Sequence, residues 1–538
     1  MPKSVFNILA PAGGLYKRRS YQEHPPFTTP DCDNVWLDDA IDGRERVGSR
    51  PGFADIGNVG TSGAVRCLSS VAWLDGSTWK ETLFAIVARV AYYSTNNGEN
   101  WGTASGSSMG LPGTGGGPLT AAALHQKLYI GDTTLDDNGT IKVFNPSDNS
   151  VSAISASEGT PPKDCTVALA YRDRLLMTAR YSPADGDDTP HMWYMSRSGD
   201  PLDWDYNATD ALSAVSGKTS TAAELGEPIV TAIPHGDDCV IFGCTNSIWT
   251  LRSDPNFGGT LDNLSQRVGI VGRNAWCRSP EGWLFFLTQD GVMTMPPGCG
   301  DTPRSISRER LPDDLLFVQG DAPFTVPSAN GREPLWVSMA YDTRFRGVHL
   351  WVSSYTAGSS SHYWLDTKQI LTQDSGNVAS YWPMSTENDE DVFSAYALDS
   401  AGSPTRSDVL LGWRNGDIRS FDTSEACESV SYVDVGPLST TGRRGSYLDG
   451  RLDQINVVLA NTSGKITYEI RSGESPEAAF DGEVIHSGTW TKQHQLTRPR
   501  LRNPYFVIRL SATGGADAWA FENITALTEE RGKMRYQS

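Results

Sequence analysis

The stretch from Arg267 to Arg310 restricts the fold more than any other part of the chain. Asn274–Ser279 is a short run holding Ala275, Trp276 and Cys277, closed by the turn Ser279-Pro280-Glu281-Gly282. Trp283–Thr288 follows as a continuous apolar run, the length of a strand buried on both faces. Gln289-Asp290-Gly291 then reads as a hairpin turn, because Asp and Gly tolerate the positive φ that a tight turn requires. Val292–Met295 returns as a third strand, and Pro296-Pro297-Gly298 stops it. Strand, turn, strand, turn, strand in so few residues is the pattern of one β-propeller blade.

Six further stretches carry the same pattern. Before it come Arg66–Leu74 with Thr82–Val90 and Ala91–Ser94, then Leu119–Leu124 with Lys127–Gly131 and Ile141–Asn145. Cys165–Tyr171 with Arg174–Arg180 and His191–Ser196 is next, followed by Ile229–Pro234 with Cys239–Gly243 and Ser247–Arg252. After it come Leu335–Tyr341 with Val348–Tyr355, His362–Asp366 and Ala379–Pro383, and finally Val392–Leu398 with Asp408–Trp413 and Ile418–Asp422. A repeat of roughly 45 to 60 residues predicts a propeller of about seven blades. Composition agrees: 53 Gly and 31 Pro supply turns, and 16 Trp, 19 Tyr and 17 Phe offset a hydrophobic content of only 38%. The best helical window, Arg308–Leu316, is short and broken by Pro312, so the chain is predicted to be all-β. Ser94-Thr95-Asn96-Asn97-Gly98-Glu99-Asn100-Trp101 matches an Asp-box, S-x-D-x-G-x-x-W, with Asn96 in the Asp position; its polar residue is expected to brace a hairpin and its Trp to pack between blades. Ser198–Trp204 ends a second hairpin in the same way.

The flanks differ. Residues 1–60 are punctuated by Pro11, Pro25-Pro26, Pro30 and Arg50-Pro51-Gly52, too often for a compact domain. Val35, Trp36 and Phe53 nevertheless argue against disorder, so this segment is predicted to be an extended N-terminal arm. The propeller is placed at 61–427. Residues 428–538, with alternating or apolar runs at Asp453–Leu459, Lys465–Arg471, Glu483–Gly488, Tyr505–Ser511 and Trp519–Thr528, are predicted to form a C-terminal antiparallel β-sandwich.

These motifs carry a resemblance. Gly269-Ile270-Val271-Gly272-Arg273-Asn274-Ala275-Trp276-Cys277, then Pro280–Val292, then Ser305-Ile306-Ser307-Arg308 with Leu311-Pro312, resemble the propeller core of the nozzle, or distal tail tubular, proteins of short-tailed bacteriophages. Ala12-Gly13-Gly14-Leu15, Asn34-Val35-Trp36 and Gly43–Phe53 are similar to that family's N-terminal arm. Thr497–Arg502 and Glu529–Arg535 are similar to its C-terminal region. The resemblance implies a structural virion protein: a ring subunit of the tail tube, expected as a hexamer beneath a head–tail adaptor protein. Tail fibres and a needle or plug would attach to it, and double-stranded DNA would pass through during ejection without specific binding. Such a protein is assembled in the host cytoplasm and resides in the virion tail. A second reading is a host-glycan-binding or depolymerase tail protein built on an Asp-box propeller.

Residue chemistry narrows the alternatives. With 45 Lys and Arg against 64 Asp and Glu, a net charge of −19, the chain lacks the cationic surplus that non-specific nucleic-acid binding uses to displace counterions. An acidic wall suits a conduit from which a duplex must slide free. No H-E-x-x-H or G-x-x-x-x-G-K-[ST] occurs, and no catalytic, cofactor or metal residues are assigned. Arg172, Arg252, Arg344 and Tyr341 would be the nominees for a sialidase-like site, but no motif selects them. Asp237-Asp238 and Glu387–Asp391 read as solvated turns rather than calcium ligands. The arginines Arg443, Arg444, Arg498, Arg500 and Arg502 are expected in protein–protein contacts. The eight cysteines (32, 67, 165, 239, 244, 277, 299, 427) lack CxxC spacing and read as buried free thiols. No apolar run approaches the ~20 residues of a membrane span, and the N-terminal stretch lacks the apolar region of a signal peptide.

Overall fold

A computed structural model of the chain describes residues 3–533, apart from 9, 61, 109–117, 132–139, 180–189, 208–209, 223, 237, 308–309, 311–334, 355–359, 369–378, 387–391, 400–406 and 441–447. Most of the expected helical window Arg308–Leu316 lies outside the described residues. The described chain is all-β, with seven four-stranded units arranged as blades. Blade 1 is Val65–Asp75, Thr78–Val87, Val90–Ser94 and Gly102–Ser108; blade 2 is Ala121–Leu124, Lys127–Ile130, Lys142–Asn145 and Ser150–Ala153. A single parallel bridge, Ser150 to Ser105, joins their outer strands into one eight-stranded sheet. Blade 3 runs Cys165–Tyr171, Arg174–Ala179, Trp193–Met195 and Val215–Ser216, and blade 4 runs Ile229–Pro234, Cys239–Cys244, Ile248–Arg252 and Thr260–Ser265. Blade 5 is Trp276–Arg278, Leu284–Thr288, Gly291–Met295 and Arg304–Ser305. Blade 6 is Leu335–Asp342, Gly347–Ser354, Ser360–Asp366 and Ser380–Met384.

Blade 7 is built differently. Its first three strands are Val392–Asp399, Ser407–Trp413 and Asp417–Asp422, but its outer strand is Gly52–Asn58, from the N-terminal segment. The pairing is antiparallel, with Phe421 opposite Phe53 and Asp422 opposite Gly52. A propeller closed in this way leaves no step where the last blade meets the first. The segment 1–60 is therefore not only an arm: seven of its residues complete the ring. Local pattern could not show this, because the partner lies more than 350 residues away in sequence.

The rest of the segment is stitched to the C-terminal part. Lys3–Ile8 pairs with Phe521–Lys533, and Cys32–Asp33 pairs with Ser431–Ser439. Two five-stranded sheets result. One orders Lys3–Ile8, Phe521–Lys533 and Leu448–Leu459, with His494–Thr497 and Leu501–Arg502 both on the last. The other orders Cys32–Asp33, Ser431–Ser439, Tyr505–Ala512, Ile466–Gly473 and Val484–Trp490. Their apolar faces meet in one core, Ile455 and Val457 from the first with Ile470 and Ile508 from the second. That core is continuous through Val35, Trp36 and Val47 with the packing of blades 5 to 7.

Between blades the packing is largely aromatic: Phe84 on Phe144 (blades 1 and 2), Trp193 on Phe242 (3 and 4), Phe285 on Tyr341 (5 and 6), Trp351 on Trp413 (6 and 7). Trp204 is fully buried in the cluster shared by blades 2 and 3. In the Asp-box turn, the Asn100 amide donates to Asn96 Oδ1 (3.0 Å) and the Gly98 amide to Ser94 Oγ (2.9 Å). Its Trp101 packs into the cluster between blades 1 and 7. At the axis, the segments leading along the inner edge of all seven blades line a channel of about 550 Å³. Among the described residues, no helix is long and apolar enough to cross a membrane.

Leu284–Thr288 is buried at every position, and Phe285 is 0% exposed. The strand starts one residue after the expected Trp283, and Gly291 adopts φ 97° beside the turn. A carboxylate placed at the centre of this strand would have no counter-charge, and burying an unpaired charge costs several kcal/mol. Phe285→Asp is therefore expected to yield insoluble protein on expression; soluble protein with native thermal melting would show that the blade does not depend on this strand.

Candidate functional site

A dense set of buried polar and aromatic side chains lies where the arm passes between the propeller and the sandwich. A hairpin, Val35–Asp38 with Glu45–Ser49, carries Trp36 into the flank of blades 6 and 7. Trp36 is fully buried. Its ring stacks on Trp364 at 4.9 Å and meets Phe345 at 5.1 Å and Phe421 at 5.2 Å, while Nε1 donates to Met384 Sδ at 2.9 Å. His349 and His362 complete this wall and are wholly buried; burial holds both imidazoles below their ordinary pKa and so neutral. Gly48 is needed for the hairpin to touch the sandwich, since a Cβ there would strike the Trp519 carbonyl and Ala520.

Three ion clusters fix the joint. Arg50, 1% exposed, donates from Nε to Asn34 Oδ1 (2.8 Å), from Nη1 to the Pro51 carbonyl (2.8 Å) and from Nη2 to the Ser385 carbonyl (3.2 Å), and pairs with Glu428. One guanidinium thereby ties the arm, blade 6 and the start of the sandwich. Arg46 engages Asp39 (2.7 Å), Asp42 (2.6 Å) and Glu522 (2.9 Å). Arg509 donates to Asp434 and Asp31 (2.6 to 2.9 Å) and lies 4.2 Å over the Tyr432 ring. Removing one partner from such a buried group leaves the other uncompensated, which is the expensive change. Lys368 Nζ reaches Asp38 at 2.5 Å and lies 4.0 Å from Asp366.

The sandwich ends on open strand edges. Val484–Trp490 borders one sheet and His494–Thr497 the other, with Val484, Ile485 and Leu496 each more than 40% exposed. Arg498 and Arg500 are exposed at this end, and Arg502 pairs with Asp449 at 2.5 Å. Arg443 and Arg444 lie outside the described residues.

The nominated hydrolytic residues do not form one group. Arg172 pairs with Asp238 (3.1 Å), Arg252 with Asp262 (3.2 Å), and Arg344 with Asp342 and Asp408 (3.2 and 2.9 Å). Tyr341 is buried, and burial raises its phenol to about 12. Asp237 and Glu387–Asp391 lie outside the described residues, and among those described no group of three metal-ligating side chains gathers. The cysteine reading needs one correction. Cys32, Cys67, Cys165, Cys244, Cys277 and Cys427 are buried free thiols, but Cys239 and Cys299 are disulfide-bonded with Cα atoms 6.0 Å apart. Blade 4 presents one and the loop after Met295 the other, a pairing across 60 residues that spacing alone does not reveal.

No protein-family model matches the chain, and no curated protein matches it in sequence. Among solved structures, the extracellular domain assigned to a hybrid two component system, BT4673 of B. thetaiotaomicron, is similar at TM-score 0.40 and 12% identity over 76% of this chain. A second structure of a BT4673 extracellular domain, assigned to a one component system, gives 0.41 and 13% over 76% of this chain. The chain spans 43% of each of those structures. The WD40 beta propeller domain of Doa1 is similar at TM-score 0.36 and 8% identity, over 69% of this chain and 97% of that domain. At such scores the architecture rests on the strand pairing described above.

Two measurements probe the joint. Trp36→Ala opens a large cavity, with a cost of about 3 to 5 kcal/mol for an indole of this burial, and is expected to lower the thermal midpoint; an unchanged midpoint would remove Trp36 as the arm's anchor. Asp366 is 4% exposed, and burial raises its carboxyl to about 6, with the Lys368 amide and ammonium acting against the rise. The folded state thus holds this proton more tightly than the unfolded chain. The destabilisation is fully present above about pH 6 and is gone below the ordinary value of 3.8. Asp366→Asn keeps an acceptor for the Lys368 amide (2.9 Å). It is expected to stabilise by up to about 3 kcal/mol at pH 7, at ~1.4 kcal/mol per pKa unit, with the gap closing towards pH 4. A gap independent of pH would show that the side chain is not charged at neutrality.

Proposed function

We propose that this chain is a ring-forming structural subunit of a short-tailed phage tail, of the nozzle type, and acts without catalysis. The observation that carries the reading is a contrast in strand edges. The propeller is sealed by its own N-terminal strand, whereas the sandwich leaves edges bearing exposed Val484, Ile485 and Leu496. Unpaired edges are templates for strands of another chain. A closed wheel beside an open sandwich suits a subunit that joins its neighbours through the sandwich and carries the propeller as a rigid spacer. The motif resemblance supplies the identity of the assembly: a hexamer below a head–tail adaptor, with fibres and a needle or plug as further partners, located in the virion.

Charge supports the same reading. Repulsion between a wall and a passing duplex acts within about one Debye length, ~8 Å at physiological salt, so only loops facing the lumen matter. Rings of chains with net charge −19 are expected to present a lumen that does not hold DNA. Negative-stain imaging of the purified protein is expected to show rings with a central hole, and duplex DNA is expected to show no measurable affinity at ~150 mM salt, weaker than ordinary non-specific binding. A monomer at all concentrations, or salt-sensitive micromolar DNA binding, would overturn the proposal.

A further inference from the structure

The channel at the propeller axis has a composition unlike the rest of the molecule. Small residues wall it, among them Ala122, Ala168, Ala170, Ala232 and Ala395, and this keeps about 550 Å³ open. That volume is in the range of small-molecule sites, ~300 to 1,000 Å³. The chain carries 64 acidic residues, yet the described lining holds no carboxylate; its charged groups are Arg273 and Arg278. Arg278 ends the inner strand of blade 5, at one mouth of the channel, and is exposed; its guanidinium has no carboxylate ion-pair partner among the described residues.

Trp276 lies two residues before Arg278 on the same strand. Alternation along a strand puts both on one side, and both line the channel. The Trp276 indole is half-buried, and its Nε1 donates to the Arg273 carbonyl at 3.1 Å, which fixes the ring. Across the axis, Ser70 Oγ and Tyr396 Oη share a hydrogen bond of 3.0 Å. A fixed aromatic face, hydroxyls opposite and a guanidinium without a carboxylate partner two residues along match a ligand with an apolar ring face, several hydroxyls and one carboxylate.

We propose that the axial channel binds an acidic monosaccharide of the hexuronic acid class, its carboxylate on Arg278 and its ring against Trp276. The site binds without cleaving. Glycoside hydrolysis needs a pair of carboxylates about the bond; the described lining has none, and the adjoining mouth holds Glu281 alone. The proposal does not depend on ring assembly.

The test is titration of the full-length protein with sodium glucuronate, glucose and inorganic phosphate by ligand-observed NMR and calorimetry. Glucuronate is expected to bind in the millimolar range or tighter, at least tenfold better than glucose and phosphate. Arg278→Gln, an exposed position that leaves the fold intact, is expected to weaken glucuronate at least tenfold, and Trp276→Ala to weaken it further for the sugar than for phosphate. Ala170→Trp, which fills the channel, is expected to abolish binding where it folds. No glucuronate binding, or binding unchanged in Arg278→Gln, would overturn the site. Phosphate bound as tightly as glucuronate would overturn the sugar-acid assignment in favour of an unselective anion site.

Discussion

The antiparallel pairing of Gly52–Asn58 with Asp417–Asp422 is the interaction on which the rest of the structure depends. A propeller whose blades follow one another in sequence has two ends that must be held together against the entropy of opening. Here the hydrogen bonds of one borrowed strand do so, supported by Phe53 against Phe421 and Trp413. That same strand is preceded directly by Arg50 and the hairpin of Trp36. Closing the ring therefore also fixes the arm, and fixing the arm places Cys32–Asp33 and Lys3–Ile8 where the two sandwich sheets need them.

The energetic consequence is a molecule without a clear seam. One apolar cluster runs from blade 5 through the arm to the far sheet of the sandwich. The ion clusters lie along this path rather than on the outer rim: Arg50 with Glu428, Arg46 with Glu522, Arg509 with Asp31 and Asp434. Each joins a segment near the beginning of the chain to one near its end. Buried pairs of this kind add little net stability over apolar packing but penalise any arrangement that separates the partners. They act as registration marks for the three parts.

Much of the fold was legible in the sequence because blade strands two and three are apolar runs closed by Asn, Asp and Gly turns. Leu284–Thr288 and Cys239–Cys244 are examples, buried at every position. Of the fourth strands only that of blade 6, read as Ala379–Pro383 and found at Ser380–Met384, was legible. Thr260–Ser265, Arg304–Ser305 and Val215–Ser216 are short or polar, too little to show an apolar run or an alternation. Strand Gly52–Asn58 was missed for a different reason: its partner is remote, and sequence periodicity reports only local structure. The arm's punctuation by Pro and Gly was read as too frequent for a compact domain, and Val35, Trp36 and Phe53 were the hints that parts of it are packed. Nothing local marked Arg50 as buried, because the groups that satisfy it come from residues 34, 385 and 428. The axial channel was equally hidden: Trp276 and Arg278 read as an ordinary strand, and only the ring places them in a cavity.

The pairing of Lys3–Ile8 with Phe521–Lys533 sets an order of events during synthesis. A ribosome has to deliver some 500 residues before this earliest strand meets its partner, and over 350 before Gly52–Asn58 meets its own. For most of translation, at about 5 to 20 residues per second, both strands are exposed edges searching for hydrogen bonds. Non-local pairing of this range makes folding slow and leaves the nascent chain open to wrong partners. The Pro and Gly residues scattered through the first sixty positions then have a second use. They limit sheet within that stretch to the short hairpin of Val35–Asp38 with Glu45–Ser49, and disfavour longer pairing with a neighbouring nascent chain while it waits.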